Sequence, residues 1–253
     1  MRVKVLFFGM LKDIVGRAED RLTVEEGSSV GRLYELYAAR FPKLAEHSSS
    51  LLFSRNQEFA GRGDELEDGD EVAFLPPVSG GSPRGEALSK KDGETTSEEK
   101  PEAMTEEKNP CRLTREPIDT RALVSELQQG GDGAVVAFEG VVRNHSGGRA
   151  TRFLEYEAYE PMALAKMREI AAEVVEKFPI DRVGMTHRLG HLEIGESSIV
   201  IVVTSEHRKP AFEACHYAIN RLKRIVPIWR KEFFADGAVW VEGESGRQMV
   251  LSP

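Results

Sequence analysis

The chain has 253 residues, of which 40% are hydrophobic and 30% charged, and its formal net charge is -8. That length supports one large or two modest domains, with the balance of an ordinary globular protein. The acidic charge argues against general nucleic-acid binding, and no apolar run approaches the roughly 20 residues of a membrane helix.

The first 81 residues read as one small domain. Met1 to Phe8 alternates charged and apolar residues, a strand pattern and not a signal peptide. Arg21-Leu22-Thr23-Val24 is a second strand. Ser28 or Ser29 caps a helix carrying Val30, Leu33, Tyr34 and Tyr37 at helical spacing, which stops at Pro42. Leu51-Leu52-Phe53 is a short strand, and the Asp68-Gly69 turn leads into a last strand, Glu71 to Leu75. A mixed sheet on a single helix is the β-grasp layout. It ends in Pro76-Pro77-Val78-Ser79-Gly80-Gly81, a tail whose paired glycines have no side chain to obstruct entry into a narrow site.

Ser82 to Pro110 has no aromatic residue and only Leu88 and Met104 as large apolar side chains, so a disordered linker is expected. Packing patterns return at Cys111. Asp119 caps a helix through Leu123 and Leu127 that ends at Gly130-Gly131. Ala134 to Val142 reads as a buried strand and Phe153 to Tyr159 as another. A helix runs from Pro161 to Phe178. Arg182 to Leu189 and Ser198 to Ser205 are strands, Lys209 to Ile225 is a helix, and Ile228 to Phe234 with Ala238 to Val241 forms a hairpin-like pair. The second domain is therefore α+β, without an internal repeat.

Cations gather at the ends of its elements. Arg143, Asn144, His145 and Arg149 surround Ser146-Gly147-Gly148; His207, Arg208 and Lys209 open a helix; Lys223, Arg224, Arg230 and Lys231 flank Pro227-Ile228-Trp229. Each alone reads as solvated surface charge. As a set they point to one pocket for an anionic ligand, helped by helix N-terminal N–H donors. Lys223 is a nucleophile or acid if desolvation lowers its pKa, and otherwise a surface lysine. His207 stays open between structural and catalytic roles. Cys215, among Ala211, Phe212 and Ala218, reads as a core thiol, and Cys111 at the linker boundary as incidental. With two cysteines there is neither a disulfide framework nor a metal cluster, so the default location is cytoplasmic. Trp229 and Trp240 read as core or interface residues.

Residues 1–81, with their closing Gly80-Gly81, resemble the small, ubiquitin-like subunit of molybdopterin synthase. Residues from about 111 to 244 resemble its large, catalytic subunit. That second match rests on Phe138-Glu139-Gly140-Val141-Val142-Arg143, on His207-Arg208 followed by Ala211-Phe212, and on Arg221-Leu222-Lys223 followed by Pro227-Ile228-Trp229-Arg230-Lys231-Glu232. The resemblance implies a natural fusion. It would hold a β-grasp carrier (1–81), a linker (82–110) and an α/β hammerhead-type catalytic domain (111–253).

It further implies sulfur transfer in molybdenum cofactor biosynthesis. A partner enzyme adenylates the carrier terminus and loads it with sulfur as a Gly81 thiocarboxylate. Two sulfurs delivered in this way to cyclic pyranopterin monophosphate, by two successive transfers, give the molybdopterin dithiolene. No permanently bound cofactor or metal is implied, and the catalytic domain is expected to be a homodimer. Lys223 takes the place of the central catalytic lysine. Arg143, His207 and Arg208 would hold the substrate phosphate, and Phe138 would line the pocket. The family's second lysine falls at Arg230, with Lys231 beside it; a guanidinium does not readily give up a proton, so either Lys231 substitutes or the role is electrostatic. A further family arginine falls where Glu244 stands, with Arg247 as the nearest replacement. The Gly81–Ser82 peptide bond blocks the carrier terminus, so cleavage after Gly81 is expected. The alternatives are an uncleaved carrier domain kept as a structural or regulatory module, or a sulfur carrier for thiamine or tRNA thiolation.

Overall fold

The computed structural model describes residues 1–77, 108–242 and 247–248. Gly80, Gly81, Glu244 and almost all of the expected linker lie outside them. None of the described helices is long and apolar enough to cross a membrane.

In the N-terminal domain, β1 (Arg2–Phe7), β2 (Glu19–Thr23), β3 (Leu52–Arg55), β4 (Glu58–Ala60) and β5 (Glu71–Leu75) form one sheet in the order β2-β1-β5-β3-β4. β1 and β5 run parallel, and the other pairs antiparallel. Helix α2 (Val30–Arg40) starts where Ser29 Oγ accepts the Arg32 N–H at 3.2 Å. Its Val30, Leu33, Tyr34 and Tyr37 are buried against the sheet. Rings there meet edge to face: Phe74 lies 5.4 to 5.8 Å from Phe7, Tyr34, Tyr37 and Phe53. This is the expected β-grasp.

Two further short helices had no readable period. α1 (Met10–Val15) has six residues and ends on left-handed Gly16, whose N–H bonds Lys12 O at 2.8 Å. α3 (Pro42–Ala45) has four.

The C-terminal domain has two sheets. One, in the order β6-β10-β12-β7, is made of β6 (Cys111–Thr114), β10 (Arg182–Arg188), β12 (Ser197–Ser205) and β7 (Ala134–Val141). The other joins β11 (Gly190–Glu193), β9 (Arg149–Ala158), β13 (Ile228–Phe234), β14 (Gly237–Glu242) and β15 (Arg247–Gln248), with β8 (His145–Ser146) pairing β9. Helices α5 (Glu160–Lys177) and α6 (Arg208–Ile225) cover one face of the first sheet. Met167, Ile170 and Val174 meet Ala211, Ala214, Ala218 and Leu222 above Val183, Met185 and Ile201. Helix α4 (Thr120–Leu127), capped by Asp119, packs Leu123 and Leu127 on Val200 and Val202 from the other face. Gly184 lies beneath it, where a Cβ would come within 2.7 Å of Leu127 Cδ1.

Two expectations shift. β7 is half-buried with alternating exposure, not fully buried, because only one of its faces, with Ala134, Val136 and Phe138, packs on the core. Asn109 and Pro110 belong to the second domain rather than to a linker. Asn109 Oδ1 accepts the Val183 N–H at 3.0 Å, and Pro110 O accepts that of Met185 at 2.8 Å.

Candidate active site

The two domains are packed together, and the contact determines where the first domain's tail starts. Phe8 is sandwiched between Tyr159 and Trp229, with both ring centroids 5.0 Å away. Trp229, 2% exposed, donates its indole N–H to Pro76 O at 3.0 Å. Gly9 has φ 53°, and a Cβ there would meet Pro76 Cγ at 3.2 Å and Trp229 Cγ at 3.5 Å, so glycine suits both the backbone and the close approach. Charged pairs ring this contact. Lys12 bonds Glu157, Tyr159 O–H donates to Glu71, and Lys166 bridges Glu58 at 2.7 Å and Glu169 at 2.8 Å. Asp13 accepts from Trp240 at 2.9 Å and from Lys231 at 3.3 Å. A cleft of about 320 Å³ remains between Lys12, Asp13, Glu155, His191 and Lys231.

Strand periodicity then sorts the cations of β13. Trp229 and Lys231 turn toward the N-terminal domain, and Lys231 also lies 5.1 Å from the Trp240 ring. Arg230 and Glu232 turn the other way. With Arg143, His145, Thr151 and Tyr156 they line a cavity of about 30 Å³. Arg230 Nη2 lies 3.1 Å from Glu232 Oε1. Lys223 is half-buried in the last turn of α6, between buried Leu222 and Ile225 and just before β13. Arg143 and Arg230 are therefore together, with Lys223 at the start of the same strand connection.

His207 and Arg208 are not with them. Both are exposed at the opposite end of α6, and His207 has Glu206 as a neighbour at 3.7 Å. Sixteen residues of helix separate His207 from Lys223, roughly 24 Å at about 1.5 Å per residue. Within one chain, the structure therefore does not bring these two residues to the cavity that Arg143 and Arg230 line. Phe138, half-buried on β7 opposite Ile201, packs at the margin of the core and does not line the small cavity. Arg149 is engaged structurally, bonded to Asp236 and lying 3.8 Å from the Phe234 ring. Cys215 is a core thiol that burial pushes up to about 11.

A MoaE protein model matches residues 113–225 and a ThiS family model residues 5–81. The molybdopterin synthase catalytic subunit of Bacillus subtilis (strain 168) is 46% identical over 129 residues, which is 51% of this chain and 82% of that protein. The chain belongs to the molybdopterin synthase catalytic subunit family. The same-named protein of Staphylococcus aureus (strain COL) is 44% identical over 138 residues, 53% of this chain and 90% of that protein. Among solved structures, molybdopterin synthase from Staphylococcus aureus is 44% identical, covering 51% of this chain and 93% of its own, with a TM-score of 0.49. The chain is thus a molybdopterin synthase of molybdenum cofactor biosynthesis, with a carrier-type domain fused ahead of the catalytic one.

Within this molybdopterin synthase, several residues of the site and its rim have no motif to announce them. Glu232 is 2% exposed and Thr151 6%. A period-two reading of β13 would have found Glu232, since it places that residue on one face with Ile228, Arg230 and Phe234. His187 is fully buried and pushed down to about 4 by desolvation, so it stays neutral at physiological pH, with its ring 5.2 Å from that of Tyr156. Asp13, Glu157 and Tyr159 meet partners more than eighty residues away, a separation no local pattern encodes.

Proposed function

We propose that the fused domain is the sulfur carrier of this synthase and that it acts on the catalytic domain of its own chain. The Trp229 N–H to Pro76 O bond carries this reading. It anchors the start of the tail on β13, which carries Arg230 on its other face and follows the helix of Lys223 by two residues. The five residues from Pro77 to Gly81 reach about 17 Å when extended, and would carry a terminal thiocarboxylate toward the Lys223–Arg230 region. Lys223 would meet the thiocarboxylate or the reacting intermediate. Arg143 and Arg230 would hold the anionic pterin monophosphate and stabilise charge that develops as sulfur attacks and the acyl group leaves. Arg230 fills the place of the family's second lysine as a fixed cation, while Lys231 serves docking.

His207 and Arg208 would reach the substrate from a second copy of the chain, in a homodimer. The exposure of both at the far end of α6, next to a 62% exposed Phe212, supports this arrangement. No resident cofactor is needed, because the sulfur arrives on Gly81 from an activating enzyme.

The chemistry requires a free Gly81 carboxylate, so the chain would be cut between Gly81 and Ser82. The test has two parts: intact-mass analysis of chain purified from its host, and an assay of sulfur-loaded chain cut after Gly81. Mass spectrometry would follow the dithiolene-bearing pterin. The expected results are two fragments, product from the cut chain and none from a Lys223→Ala version of it, a loss of at least about 100-fold. Finding only full-length chain in active enzyme would overturn the cleavage, and would favour an uncut carrier domain retained as a module.

A further inference from the structure

The small cavity beside Arg230 contains a group with no part in the reaction outlined above. Cross-strand pairing sets Arg230 opposite Tyr156 and Glu232 opposite Leu154, so the two charged side chains stand on one face, next to Thr151. Burying a carboxylate is costly unless it is paired and hydrogen-bonded. Glu232 has one oxygen on Arg230 Nη2 at 3.1 Å. Its other oxygen, Arg230 Nε and Thr151 Oγ1 are all buried without a protein partner. They belong to residues lining a cavity of about 30 Å³, room for one water, whose remaining lining includes Arg143 and His145.

A carboxylate in a core that needed only filling would cost more than an apolar side chain of its size. Its position accounts for it. An arginine side chain loses rotamer freedom when it is fixed. Glu232 supplies the restraint from the buried side and offsets the repulsion between Arg230 and Arg143. The unshared N–H groups of Arg230 are left for an anion.

We infer that Glu232 is a positioning residue that holds Arg230 in the orientation required to bind the anionic substrate. This rests on the assignment of Arg230 to substrate binding made above, so the experiment separates the two. In the full chain cut after Gly81, Glu232→Gln keeps the shape and removes the charge. It should raise KM for the phosphorylated pterin about tenfold, the scale of one lost charge-assisted hydrogen bond. kcat should change less than about threefold by the same argument. Calorimetric binding of the pterin should weaken in parallel. Arg230→Ala should weaken binding at least as much, and Glu232→Gln added to it should have no further effect.

Weakened binding by Arg230→Ala together with wild-type binding by Glu232→Gln would overturn the positioning role and leave the assignment of Arg230 standing. Wild-type binding by Arg230→Ala would overturn both. Should Glu232→Gln fail to fold, Glu232→Asp keeps the charge but withdraws it by one methylene; a raised KM supports the role, and an unchanged one overturns it.

Discussion

At the scale of single residues, Trp229 links fold and function most directly. Its ring lies against Phe8 and its N–H satisfies Pro76 O in a buried contact. Trp229→Phe preserves the stacking surface and removes the hydrogen bond, leaving a buried carbonyl unpaired at a cost of about 1–3 kcal/mol. Chemical denaturation of the full chain should show that loss. Product formation should also fall, although Lys223 and Arg230 are untouched, because the tail's starting point is released. Wild-type turnover in a destabilised Trp229→Phe chain would detach the bond from the chemistry. Both tryptophans were legible as core or interface residues from their type alone. Their partners, Pro76 and Asp13, were not, because the contacts span 153 and 227 positions.

At the scale of elements, legibility followed length and local chemistry. α2 and α4 showed their Ser29 and Asp119 caps, and α5 its early proline. α1 is not legible in the sequence because six residues cannot establish a helical period, yet it brings Lys12 and Asp13 to the interface. The start of β5 makes a second such contact, and a pH-sensitive one. Burial alone would push the Glu71 carboxyl upward, but hydrogen bonds from Tyr159 O–H and Lys4 outweigh it and hold it below the usual carboxylate range. Tyr159 is raised, by burial and by Glu71, so it remains a protonated donor. The stabilisation of docking by Glu71 is thus complete above the ordinary carboxylate pKa and is lost as pH falls through the lowered one. Both tryptophans of the chain sit at this contact, so intrinsic fluorescence reports on it. An acid-limb change in emission should appear in the wild type and be reduced in Glu71→Gln. Identical profiles would remove Glu71 from the docking energetics.

At the scale of the whole molecule, the separation of His207 and Arg208 from Lys223 by the length of α6 determines how many chains make a site. If a second copy completes the pocket, mixed dimers can be repaired by complementation. A Lys223→Ala chain and a chain carrying His207→Ala with Arg208→Ala should each be inactive. Co-expressed, they should recover about a quarter of wild-type product formation, since roughly half of the assembled dimers then contain one intact site of two. No recovery, with mixed dimers shown to form by mass, would place each complete site within one chain.

The sequence by itself determined the two domains and most of their elements, because caps, turns and periods of 2 and 3.6 act over a few residues. Only the tertiary structure decided that Arg230 and Lys231 face opposite ways, one with Arg143 and Glu232, the other with Asp13. It also decided that His207 stands a helix length from Lys223, and that the carrier tail starts at Trp229. These facts depend on strand pairings and ring contacts between residues far apart in the chain. Such contacts form only once local elements bury their apolar faces against one another.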